Sequence, residues 1–68
     1  MFEKFQNTNV TNIAEHKYLI NLISNGIKNG LRVVKTDRLI KAENDKLLTS
    51  CGFRVFEPNN KYEIISLN

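Results

Sequence analysis

Nucleophilic catalysis needs a cysteine or serine held beside a base, and the chain offers one cysteine, Cys51, and one histidine, His16. His16 falls on the main apolar stripe of a predicted helix, where a packed imidazole bonded to a backbone group is the expected state. Cys51 stands just before Gly52 at a predicted helix end and reads as a small buried hydrophobe, not an activated thiol. Acid–base chemistry would draw on Glu15, Glu43, Asp45, Glu57 and Glu63. Glu43 and Asp45 lie too far apart around a helix to cooperate, and Glu57 and Glu63 are expected to be solvated near a hairpin tip. A single cysteine excludes an intramolecular disulfide. A single histidine leaves no zinc-type ligand cluster, and no stretch carries the alternating carboxylates of a calcium loop or a glycine-rich phosphate loop. The expectation is a protein without catalytic residues, metal or cofactor.

Nucleic-acid contact is the stronger chemical candidate. Arg32, Lys35, Arg38 and Lys41 fall close together around a predicted strand-to-helix junction, and Lys46, Arg54 and Lys61 can extend them. Read with a terminal hairpin, this order is that of a winged helix-turn-helix, with TDRLIK and ENDKLLTSCG as its short helices and FRVFEPNNKYEIIS as the wing. Against it stand the short spacing between strand and wing, and Glu43 and Asp45, which phosphates repel. Phe53, Phe56 and Tyr62 are the only aromatics available for base stacking there, with Phe56 able to stand on an outer sheet face. Ten Lys and Arg against seven Asp and Glu give a net charge of +3, within the range that serves solubility alone.

The elements that must position these residues follow from pattern. Asn12 is placed to cap a helix over Ile13 to Asn29, with Glu15 three residues on completing a capping box and Gly30 ending it. Ile13, His16, Ile20, Ile23 and Ile27 share its main stripe, with Leu19 beside it. Leu31 to Lys35 reads as a strand. Thr36 or Asp37 then starts a second helix to about Ser50, whose buried side is Leu39, Ile40, Leu47 and Leu48. Glu43 and Asn44 interrupt that face, so it is either kinked or two short pieces. After Gly52, two alternating segments flank Asn59-Asn60, a pair suited to a tight hairpin turn. That turn pairs Val55 with Ile64, Phe53 with Ser66 and Glu57 with Tyr62, and directs Phe53, Val55, Tyr62 and Ile64 to the core. The fold class is α+β: helix, strand, helix, strand, strand, a three-stranded sheet with both helices on one face.

A domain of about 60 residues buries only roughly 60% of the surface of its unfolded chain, so 68 residues without disulfide or metal point to oligomerisation as support. Residues 1–11 read as a loosely held arm. The apolar arc of the first helix is wider than one small sheet covers, so Tyr18 and Leu22 either pack against the second helix or the N-terminal arm or meet a partner chain; in the second case they form, with the arm residues Phe2 and Phe5, the expected protein interface. The opening MFEKFQNTNVTN has no apolar leader and no run reaches the ~18 apolar residues of a membrane span. With a lone thiol, this points to the cytoplasm and to no membrane partner.

The segments Asn29-Gly30, LRVVK, Leu47-Leu48, Gly52-Phe53-Arg54-Val55, the asparagine-rich turn and Tyr62-Glu63-Ile64 resemble the C-terminal pattern of small accessory proteins of tailed bacteriophages. The resemblance implies a protein of an infected cell's cytoplasm that binds a host or viral protein and blocks or stabilises it. It carries over no functional residue. The expected function is thus a non-enzymatic interaction or inhibitor protein that self-associates, with nucleic-acid binding through the basic junction as the alternative.

Overall fold

The computed structural model describes residues 1–68. The helix expected after Asn12 forms as α2, Ile13–Lys28, and the Asn12 side chain accepts a hydrogen bond from Glu15 N at 3.0 Å. It is preceded by α1, Phe2–Asn7, and followed by β1, Val33–Lys35. Then come α3, Ala42–Ser50, β2, Arg54–Phe56, and β3, Ile64–Ser66. The three strands form one antiparallel sheet in the order β1-β3-β2, and the fold is α+β. No helix is long and apolar enough to cross a membrane.

The expected loose arm is instead α1, docked on the body. It has no side-chain cap, and a helix this short is not stable by itself; tertiary contact holds it. Phe5 is fully buried, its ring 4.6 Å from the His16 ring and edge-on to Phe53 at 6.5 Å. The Phe5 carbonyl takes a 2.7 Å hydrogen bond from His16 Nε2, so the lone histidine acts as a buried strut between α1 and α2. Phe5 is therefore core and not interface.

Along α2 the buried line is His16, Leu19, Ile23 and Gly26, at the i, i+3, i+4 spacing of one helix face. Ile13 and Ile27, expected on that line, are exposed. The face is rotated because α2 meets β1 through Gly26, where an added Cβ would come within 2.5 Å of Val34 Cγ1 and 2.7 Å of Leu67 Cδ1. Val34, Ile65 and Val55 form one cross-strand row on the inner side of the sheet, facing a core that contains Leu19, Ile23, Leu48 and Phe53.

Residues 36–41 form no helix, so neither Thr36 nor Asp37 starts one and α3 begins only at Ala42. Thr36 is committed elsewhere. Its N–H donates to Glu63 O at 2.9 Å while its Oγ1 accepts from Glu63 N at 2.8 Å, which extends the β1–β3 ladder by one side-chain rung. The two long helices then exchange carboxylates. Glu43 of α3 accepts from the Thr11 and Asn12 amides at 2.8 and 3.1 Å, and Glu15 of α2 accepts from Lys41 N and from Asn44 Nδ2. Each acid sits at the positive end of the other helix. Glu15 thus does not close a capping box on its own helix, and Glu43 and Asn44 are the joint between helices, not an interruption.

Both long helices end in the same reverse-bonded turn, with Leu31 N returning to Gly26 O and Phe53 N to Leu48 O. Gly52, at the second of these, has φ +92° and the Met1 sulfur 2.6 Å from where a Cβ would lie. Gly52→Ala is expected to lower stability by about 1–2 kcal/mol. An unchanged urea midpoint would contradict this geometry.

Candidate interaction surface

The hairpin register departs by one residue from the sequence expectation. Val55 pairs with Ile65, Arg54 with Ser66 and Phe56 with Ile64. A two-residue Asn-Asn turn of the required hand needs positive φ at both positions, and no non-glycine residue here has positive φ. Pro58 and the Thr36–Glu63 rung instead set a longer loop from Glu57 to Glu63, in which Asn59 Oδ1 accepts from Lys61 N at 2.8 Å. A slip of one residue exchanges the faces of a strand. Ile65 and Glu63 are buried where Ile64 and Tyr62 were expected, and Ile64 turns outward.

The outward positions of the sheet are therefore Val33 and Lys35 of β1, Ile64 and Ser66 of β3, and Arg54 and Phe56 of β2. Val33 is 51% exposed and Phe56 50%. Lys35 lays its ammonium over the Tyr62 ring, 4.4 Å from the centroid. The molecule's one ion pair joins Arg38 to Asp37, so Lys35 and Arg54 have no carboxylate partner. This side of the sheet carries apolar side chains, two cations and no acid.

The molecule's one concavity, of about 480 Å³, is lined by Asn12, Ala14, Glu15, Tyr18, Arg38, Leu39 and Lys41. Apart from the Lys41 ammonium, its polar side chains are engaged within the chain. Tyr18 Oη accepts from Asp37 N at 2.8 Å, and Arg38 bonds both oxygens of Asp37 while lying 5.1 Å from the Tyr18 ring centroid. Burial pushes the Tyr18 hydroxyl up from its ordinary value, and the Arg38 guanidinium holds the Asp37 carboxyl below its own. Glu43 is likewise held low by the Thr11 and Asn12 amides. These groups brace the seam between α2 and the 37–41 loop; none is an uncommitted acid or nucleophile.

The buried carboxyl of Glu63, 3% exposed, accepts from Ile40 N at 2.8 Å and is pushed up to about 7 by burial, with Asp45 and Glu57 adding to the effect. Sequence reading placed it in solvent at a hairpin tip; the register slip carries it inside. No three His, Cys, Asp or Glu side chains converge on a common metal position.

The expected interface residues separate. Phe5 is core, and Phe2, Tyr18 and Leu22 are half-buried and packed against that core. The four junction cations separate too. Arg38 and Lys41 line the α2 seam, Lys35 belongs to the outer sheet face, and Arg32 precedes β1 with its carbonyl bonded to Leu67 N. The pair of short helices that a helix-turn-helix requires is not formed, because TDRLIK is irregular. What sequence reading missed is the outer sheet face, whose one legible sign was Phe56. No protein-family model, curated protein or solved structure matches the chain.

Proposed function

We propose that this chain is a small, non-enzymatic protein-interaction module that presents the outer face of its sheet to a protein partner. One observation carries the proposal: on the outer side of the sheet Phe56 and Ile64 are paired neighbours on β2 and β3 with Val33 diagonal to Ile64 on β1, and Val33 and Phe56 stay half-exposed while Ile64 between them is partly buried. Large apolar side chains left in water amid polar neighbours are the usual anchors of association. The likeness from Asn29 onward to accessory proteins of tailed bacteriophages supports the same reading, with a host or viral protein as the partner.

The test is a selection of random displayed peptides on the immobilised chain, repeated on a Val33→Ser/Phe56→Ser double variant. Both side chains are half-exposed, so the variant should melt close to the wild type. Selected peptides are expected to bind it about tenfold or more weakly. Equal affinity for both proteins would overturn the assignment of this face.

A further inference from the structure

We propose that the partner contributes a short acidic segment, in which apolar side chains contact Val33, Ile64 and Phe56 while flanking Asp or Glu side chains meet Lys35 and Arg54. This rests on the functional reading above and specifies its occupant.

Charge makes the first argument. The six outward positions hold two cations and no anion, and the seven acids of the chain all lie elsewhere. Glu3 is in α1, Glu15 is in α2 and Glu43 and Asp45 are in α3, with Glu15 and Glu43 bonded to backbone amides. Asp37 is paired with Arg38, Glu63 is buried, and Glu57 lies beyond the end of β2, in the loop that follows Phe56. A second copy docked face to face would bring four cations and no acid into one small contact, and like charges so gathered are costly. An acidic partner gains instead.

Size makes the second. Three strands of three residues each give a plateau of on the order of 150 Å², at ~4.8 Å between strands and ~3.3 Å per residue. A stable contact between two globular surfaces takes about 800 Å² from each side. A plateau this small suits a segment of extended chain or a turn or two of helix. Ring availability favours peptide over single-stranded nucleic acid, because the Tyr62 ring is already faced by the Lys35 ammonium and Phe56 alone is free for a base.

The experiment titrates the full chain with three probes: a peptide of leucine and phenylalanine anchors flanked by glutamates, the same peptide with glutamines, and an oligothymidylate. Affinity for the glutamate peptide should exceed that for the glutamine peptide about tenfold and decline with salt. Lys35→Glu/Arg54→Glu should erase that preference with melting unchanged, and Lys35→Gln/Arg54→Gln should reduce it. Equal binding of both peptides at the sheet would overturn the acidic segment and leave the interaction face standing. Binding of the oligothymidylate but of neither peptide would overturn both. A salt-stable dimer dissociated by Phe56→Ser would show a second copy as the occupant and overturn the acidic segment alone.

Discussion

Replacing Phe5 with alanine should cost about 3–5 kcal/mol, the range for deleting a fully buried aromatic ring from a packed core. A domain of 68 residues has in total only about 3–10 kcal/mol of stability. The Phe5→Ala chain is therefore expected to be largely unfolded at room temperature, with helical circular dichroism lost well before the wild type in urea. The cause is specific. Phe5 is the only fully buried residue of α1, and its ring bridges His16 and Phe53. Removing it undocks α1 and strips the His16 imidazole of its carbonyl partner, which leaves a buried polar group unpaired. A loss below about 1 kcal/mol, in the range of ordinary exposed positions, would mean that residues 1–8 are detached in solution.

Glu63→Gln should change how stability depends on pH, where Phe5→Ala changes its size. The Glu63 carboxyl titrates at about 7 when folded and near its ordinary value of 4.5 when unfolded. A raised folded value means that the folded state holds the proton longer. The stabilisation is complete below about pH 4.5 and is lost as pH rises through 7. Asp37 and Glu43, held low by Arg38 and by backbone amides, act in the opposite sense. Their contribution is present above their unfolded values and lost in stronger acid. Wild-type stability should therefore peak near pH 5 and fall toward pH 8. Glutamine keeps an oxygen for Ile40 N and cannot ionise, so the variant should be level from pH 5 to 8 and more stable than wild type at pH 8. Parallel urea midpoints for the two proteins across that range would contradict a buried, proton-holding Glu63.

The parts of the fold legible in the sequence are those fixed by neighbouring residues. Asn12 caps α2 because Glu15 N lies one turn away, and Gly30 and Gly52 end helices through bonds that reach back a few positions. The start of α3 was not legible. Lys41 supplies no side-chain cap, and its amide is met by Glu15 from a different helix, a contact that leaves no local mark. The same holds for α1, whose short apolar pair Phe2 and Phe5 reads equally as arm or helix until the His16 pocket is built.

Register decided how much of the candidate surface could be foreseen. Val55 and Phe53 were placed inward correctly, since both lie on one side of the loop and keep their alternation whatever its length. Ile64 and Tyr62 were misassigned to the core because their facing depends on how many residues the loop absorbs. That number is set by Pro58, the Asn59 turn and the distant Thr36–Glu63 rung. One residue of slip in β3 moves Ile64 from the inner side of the sheet to the outer one, where it lies partly exposed between Val33 and Phe56.

The most direct measurement is backbone amide chemical-shift mapping of the isotope-labelled full chain during titration with a peptide selected on it. Shifts concentrated at Val33, Lys35, Arg54, Phe56 and Ile64, absent at Glu15, Tyr18 and Leu39, are the expected outcome for an outer-sheet binding face. Shifts confined to the seam between α2 and the 37–41 loop, with the strand amides unmoved, would contradict it and transfer the site to Tyr18 and Arg38.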